Sequence, residues 1–315
     1  MATASAPQAE IRTTPQPKLA ISRTIPQNIL QLWHLTSLDA PTVAVTWTLA
    51  FAWAAKIHLP LWLPTTLALA AWTFYIADRL MDAKTANQSQ AFRLLPVSCS
   101  LRPRHHYHWQ HRRIFLPIAI LSAIAGAALV LHYMPFPARE RNSILAAATL
   151  VYFTTVHTSP IKPRPKSKLK LPKELLVGIL FTSACVLPVL PRIPADLRSS
   201  LAPTLTVATL VYIALAWLNC HAIESWESQP TRIQGQGSIA KLSLTLAAIA
   251  AAAAAATAPH PRISFLLLSA ALSAILLAWL DRARTTLNPT TLRAAADLAL
   301  LTPLVLIASS LLIHF

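Results

Sequence analysis

Glycine is nearly absent: the 315-residue chain has 4, where average usage of about 7% would supply about 22. That shortage argues against transmembrane β-barrels and against glycine-rich phosphate loops. Charge is also scarce, at 12% of residues against about 25% in soluble domains. A water-soluble enzyme of this length needs more polar surface than that. The three cysteines, Cys99, Cys185 and Cys220, show neither C-x-x-C spacing nor an even-numbered framework, so neither a zinc knuckle nor disulfides are signalled. Acidic residues number 11 against 27 Lys and Arg, a formal net charge of +16.

What the chain has instead is apolar length. Hydrophobic residues make up 55% and the mean hydropathy is +0.50. A membrane-crossing helix takes about 20 apolar residues. Apolar runs fall at 41–57, 61–77, 114–133, 142–158, 173–191, 201–219, 240–258, 263–280 and 294–313, each followed by Pro, charge or turn residues. The expected fold is therefore all-α, a polytopic bundle of nine membrane helices over residues 29–315. The polar, Pro-rich stretch 1–28 reads as a disordered cytoplasmic tail, and Phe92–Leu101, too short to cross, as an interfacial piece. With glycine so rare, Ala and Ser must provide the small residues at which membrane helices approach one another.

The basic residues orient the bundle and remove the need for nucleic acid as a partner. With the N-terminus inside, 21 of the 27 Lys and Arg fall in inner loops and 6 in outer ones. That asymmetry predicts a cytoplasmic N-terminus and cytoplasmic large loops, and nine spans then put Phe315 at the outer face.

Carboxylates in or beside membrane spans are costly and mark functional sites. Asp78 and Asp82 close the second run at i, i+4, so both project from one helix face. The sixth run closes on Asn219-Cys-His-Ala-Ile-Glu224-Ser-Trp226-Glu227, where Asn219, Ile223 and Glu227 share a face. Two oxygen-rich helix ends on one side of a bundle suit Mg²⁺, which takes one or two carboxylates plus substrate phosphates. Asp78, Asp82, Asn219, Glu224 and Glu227 are the expected metal ligands. The loop after the fourth run carries six cations; Lys162, Arg164 and Lys173, nearest the span ends, join Arg79 as candidates for gripping a diphosphate. Lys166, Lys168 and Lys170 read equally well as lipid-headgroup anchors. Three further carboxylates have simpler local readings. Asp39 precedes Pro41 and reads as a helix cap, Asp281 beside Arg282 as a solvated span end, and Asp297 as the i+4 partner of Arg293. The His-rich run 104–113 reads as a basic interfacial helix rather than a zinc site.

Taken together, these features resemble the UbiA-type intramembrane prenyltransferase superfamily. The resemblance rests on nine runs, on acidic motifs after the second and sixth, and on a Tyr152…Ser159-Pro-x-Lys162-x-Arg164…Lys173-Glu-Leu-x-x-x-Gly178 segment leading into the fifth. The run Gln229–Leu242, with Gly235, Gly237, Ser238 and Lys241, is similar to the loop after the family's second motif. The family's first motif, Asn-Asp-x-x-Asp-x-x-x-Asp, places Phe74 and Tyr75 here where Asn and Asp stand. The resemblance implies a central cavity under a cytoplasmic cap. It also implies Mg²⁺ as cofactor, a polyprenyl diphosphate as donor, and transfer of the prenyl group to an aromatic or other lipophilic acceptor. Asp78, Asp82, Glu224 and Glu227 would carry the catalysis, and Tyr75, Tyr152, Trp217 and Trp226 would face the prenyl cation. An inactive member that binds isoprenoid lipids is the competing expectation. A transporter is disfavoured, because the carboxylates cluster at inner span ends rather than at the midplane.

The orientation is directly testable. In a cysteine-free background, Ser167→Cys reacts with a membrane-impermeant maleimide only in inverted vesicles, and Ser199→Cys reacts in intact cells. The opposite labelling pattern refutes the charge-based topology.

Overall fold

A computed structural model describes residues 29–91, 103–158, 172–228, 237–305 and 308. Among them every regular element is helical. In chain order these are α1 (Ile29–Leu35), α2 (Asp39–Ala54), α3 (Trp62–Ala91), α4 (Pro103–Gln110), α5 (Arg112–Tyr133) and α6 (Phe136–Thr158). There follow α7 (Lys173–Val186), a 3-10 turn (Leu190–Arg192), α8 (Ala195–Ser228), α9 (Ser238–Ala256), α10 (Pro261–Ala283) and α11 (Pro289–Ala299). The tail 1–28 and the piece Phe92–Leu101 lie outside the described residues.

Each of the first eight apolar runs falls on a helix. The ninth begins on α11 and breaks into turns from Leu300 to Pro303. Five helical segments are long and apolar enough to cross a membrane: Arg112–Tyr133, Lys173–Arg192, Ala195–Glu227, Ser238–Ala256 and Pro261–Ala283. Among the described residues the runs on α2, α3 and α6 fall short of that test, and the ninth run lies partly outside them. The 16 residues of α2 rise only ~24 Å at 1.5 Å each, and α11 has 11 residues. In α3 and α6 polar residues interrupt the apolar stretch, as in Asp78-Arg79 and in Arg139-Glu140-Arg141.

The exposed surface is apolar, as a membrane protein's would be. Helix α5 buries Phe115, Ala119, Ser122 and Gly126 and turns Ile114, Leu116, Ile120, Leu121 and Ile124 outward. The buried stripe is small and the outer face is large and aliphatic, as lipid contact demands. Helix α10 likewise turns Phe265, Leu268, Leu272 and Trp279 outward, while it buries both small residues and large ones such as Leu266, Leu267 and Leu277.

The main core lies among α2, α7, α8, α9, α10 and α11. Its centre is aromatic: Trp47 meets Tyr212 edge-on at 4.6 Å and Phe181 at 5.6 Å, and Phe51 meets Tyr212 at 5.1 Å. The polar tips are satisfied by neighbouring helices, since Trp47 Nε1 donates to Leu300 O at 2.9 Å and the Tyr212 hydroxyl sits 3.0 Å from Ser269 Oγ. Helix α9 lays a stripe of Ala240, Ser243, Ala247, Ala250 and Ala254 into the bundle, at the 3- and 4-residue spacing of one helical face. A second, smaller cluster of Ile76, Phe115 and Ala119 joins α3 to α5.

Gly178 explains the last position of its motif. A Cβ there would lie 3.0 Å from both Ile213 O and Trp217 N, backbone atoms of α8 that cannot swing away. Gly126, by contrast, would place a Cβ 3.7 Å from Leu69 Cβ, an ordinary contact. Gly178→Ala should therefore destabilise the α7–α8 pair by about 1–3 kcal/mol. Gly126→Ala should be neutral or stabilising by up to about 1 kcal/mol, because Ala is the better helix former. Thermal unfolding in detergent, followed by circular dichroism, separates the two; equal behaviour would contradict the close approach.

Candidate functional site

Helix direction brings the acidic motifs to one end. The antiparallel order of α2, α3, α5, α6, α7 and α8 places the C-terminal halves of α3 and α8 beside the N-termini of α2, α7 and α11. Cross-links mark this end: Gln31 to Thr291, Trp72 Nε1 to Thr36 O, Ser37 to His108, Lys173 to Glu224, and Arg293 to Glu227.

On α3, Asp78 and Asp82 are half-buried while Ile76, Arg79 and Ala83 turn fully inward. Arg79 is only 2% exposed. Its guanidinium stacks over the Tyr75 ring at 4.4 Å and acts electrostatically on Asp39, and its Nε and Nη2 make no hydrogen bond. It is thus a buried counter-charge within the bundle. Tyr152 on α6 is the aromatic that stands with the carboxylates, within electrostatic reach of Asp78, Cys220, Glu174 and Asp82. Four helices, α3, α6, α7 and α8, thereby contribute to one locale. Phe74 against Phe153, centroids 6.1 Å apart, packs α3 on α6 beside it.

On α8 the motif divides. Asn219 is buried and donates from Nδ2 to Asp297 Oδ1 at 3.1 Å. Glu227 accepts from Arg293 Nη1 at 2.8 Å. Both thus face α11. Glu224 faces α7 instead, 4.0 Å from Lys173 Nζ, which also lies 3.9 Å from Glu174. Lys173 is well exposed, so these two pairs are weak. Trp226 is buried with its Nε1 donating to Asp281, and Trp217 stacks on His221 at 5.6 Å. Lys162 and Arg164 lie outside the described residues.

Three carboxylates depart from their local readings. Asp281 is not a solvated span end: it is 3% exposed. It accepts from Trp226 Nε1 at 2.9 Å and from the Ala240 amide at 3.0 Å, with Arg284 at 3.5 Å. It therefore binds α8, α9 and α10 together. Asp297 is not hydrogen-bonded by Arg293, which donates to Glu227; Asp297 faces Asn219, with its Oδ2 3.8 Å from His34 Nδ1. Asp39 does bond the next amide, Ala40, at 2.9 Å. It stands within α2, whose N-cap is Leu38, and its main partner is His34 Nδ1 at 2.7 Å. The turn between α1 and α2 makes that contact possible. Ser37 takes a left-handed φ of 59°, which folds the chain back so that residues five apart meet. The same Ser37 holds buried His108 of α4 at 3.1 Å. The His-rich run is helical over Pro103–Gln110 as expected, but His108 is a buried strut rather than a surface charge.

Comparison with family models, with curated proteins and with solved structures finds no match for this chain.

The Asp281 junction yields a stability test. Asp281→Ala leaves a buried indole N–H and a buried amide without acceptors, each costing about 1–3 kcal/mol. The variant should unfold in detergent well below the wild type, and Asp281→Asn, which retains one acceptor, should lie between them. Asp196→Ala, at an exposed position, should be indistinguishable from wild type.

Proposed function

We propose that the chain is a UbiA-type intramembrane prenyltransferase. In this reading it is a nine-span bundle whose site end faces the cytoplasm, and it moves a prenyl group from a polyprenyl diphosphate to an aromatic or other lipophilic acceptor. The observation that carries the reading is that Asp78, Asp82, Glu174 and Cys220 all lie within electrostatic reach of Tyr152, at an end of the bundle where Lys173 also reaches Glu224. The apolar outer faces of the helices suit a lipid-soluble substrate, and the charge asymmetry of the loops supports the orientation. The expected central cavity is not seen among the described residues, whose one marked pocket lies at the opposite end beside Trp62, Met134 and Arg192.

By chemistry alone these carboxylates suit magnesium, a hard cation that takes oxygen ligands, although among the described residues the ligand atoms of Asp78, Asp82 and Glu224 do not form a close group. Asp78, Asp82 and Glu224 are the residues to hold it. Asn219 and Glu227 are already engaged by Asp297 and Arg293, so in this reading they position α8 against α11. When bound, Mg²⁺ supplies charge neutralisation that makes diphosphate a better leaving group. Lys173, exposed beside Glu224, adds a cation for diphosphate oxygens, together with Lys162 and Arg164 of the segment that precedes it. Arg79 is redirected inward, where it stacks on Tyr75 and offsets Asp39. Among the four aromatics, Tyr152 is the best placed to face an allylic cation, an attraction of ~0.5–2 kcal/mol when desolvated. Tyr75 already has a guanidinium on its ring, and Trp226 is tied to Asp281.

A second reading follows from the same engagement of Asn219 and Glu227: a member of the family that binds isoprenoid lipids without turnover. The test is protein in nanodiscs given a radiolabelled polyprenyl diphosphate, Mg²⁺ and a panel of aromatic acceptors. The transferase reading expects a lipid-soluble product that EDTA abolishes, with Asp78→Ala and Asp82→Ala at least about 100-fold slower. Glu227→Ala should lose far less. Diphosphate bound but not consumed selects the second reading, and a protein that neither binds nor reacts excludes both.

A further inference from the structure

On the α1–α2–α11 side of the same end lies a group of ligating atoms that prenyl transfer does not use. We propose that His34, Asp39 and Asp297, with Asn219 as a fourth donor, form a binding site for a borderline divalent cation of the zinc class, separate from any magnesium on α3 and α8. The three side chains are buried, and their ligand atoms all lie within 4.8 Å of one another. His34 Nδ1 is 2.7 Å from Asp39 Oδ2 and 3.8 Å from Asp297 Oδ2. Bonds of about 2.0–2.1 Å to a tetrahedral ion hold its ligands about 3.3 Å apart, between those two values.

Polar atoms in and beside the triad also point to a cation. Asn219 is 5% exposed, its Nδ2 donates to Asp297 Oδ1, and its own Oδ1 accepts nothing. Asp297 Oδ2 likewise accepts no hydrogen bond and is set against Asp39, another acceptor. Two buried carboxylates thus converge on a single imidazole nitrogen, His34 Nδ1, beside a buried amide oxygen that accepts no hydrogen bond. The imidazole decides the class of ion: magnesium prefers an all-oxygen, part-hydrated shell, whereas nitrogen with carboxylates suits zinc and its neighbours. Arg79 and Arg293, which act on Asp39 and Asp297 from outside the triad, compensate the remaining acidic charge. On metal entry the imidazole's single ring proton passes from Nδ1 to Nε2 by exchange with solvent, which leaves the ring neutral, and the new metal–Nδ1 bond replaces the His34–Asp39 contact. The ion would join four helices, α1, α2, α8 and α11, that otherwise meet here through single polar contacts.

Cobalt(II) is the probe, because tetrahedral nitrogen–oxygen coordination gives visible d–d absorption. Full-length protein in detergent, stripped with chelator and dialysed, is titrated with Co²⁺ and then with Zn²⁺. The proposal expects one Co²⁺ per chain, a tetrahedral spectrum, its bleaching by Zn²⁺, and a Zn²⁺-dependent rise in melting temperature. His34→Gln and Asp297→Asn should weaken binding at least about tenfold, while Asp78→Asn should bind Co²⁺ as wild type does, whatever becomes of prenyl transfer. Absence of stoichiometric Co²⁺ in the wild type overturns the site, a result that needs no variant to fold. Unchanged Co²⁺ binding in both His34→Gln and Asp297→Asn overturns it equally.

Discussion

A carboxylate carried into a bundle clad in hydrocarbon must find its partner on another helix, because lipid offers none. The architecture of the site end follows from that constraint. Asp281 draws the Trp226 indole of α8 and the Ala240 amide of α9 onto α10. Glu227 of α8 takes Arg293 of α11, and Asn219, two turns earlier on α8, takes Asp297 one turn later on α11. Each pair is worth little as net stability, yet breaking one exposes a buried charge at a cost of roughly 3–5 kcal/mol. These contacts therefore specify which helices are neighbours and at what height. The apolar middle of the bundle, where alanine meets alanine, is permissive about both.

Much of the fold was legible because hydropathy over a window of about 20 residues is a strong signal that distant contacts do not alter. The α5 and α10 boundaries lie within three residues of the apolar runs read for them. The ninth run lies partly outside the described residues; within them α11 gives way to turns at Leu300, whose carbonyl accepts from Trp47 Nε1. The candidate site was half legible. Asp78, Asp82, Glu224 and Glu227 stand out as carboxylates at the ends of apolar runs. Asp39, Asp281 and Asp297 did not, because each has an innocent neighbour in sequence while its structural partner is remote or reached by a turn. Asp297 to Asn219 spans 78 positions and Trp226 to Asp281 spans 55. Only His34 to Asp39 is short, and it depends on Ser37 adopting a left-handed backbone, uncommon for a residue other than glycine. The one available signal was amphipathicity: in α11, Asp297 shares its buried surface with Leu292, Ala294 and Ala296, where a solvated acid does not belong.

The two clusters of buried apolar side chains divide the bundle unequally, and the division bears on the proposed chemistry. Helices α2 and α7 to α11 share one core around Trp47 and Tyr212. Helices α3 and α5 are joined by the small Ile76–Phe115–Ala119 cluster, and α6 leans on α3 and α7. Asp78, Asp82 and Tyr152 belong to the lighter half, whereas Glu174, Cys220 and Glu224 belong to the heavier one. The candidate site therefore straddles a seam rather than sitting inside either core. Regions with few buried apolar contacts open at lower free energy than a packed core. A substrate with a charged head and a lipid tail needs that combination: carboxylates and cations fixed at the mouth, and beneath them a side of the bundle able to part for a chain arriving from the bilayer. The His34–Asp39–Asp297 group lies on the heavy side of the seam, between α1, α2 and α11, so a cation bound there as proposed would hold the fixed half still. That places the two clusters of ligating atoms in opposite physical roles, one bordering a yielding interface and one locking a rigid one, although they share an end of the molecule.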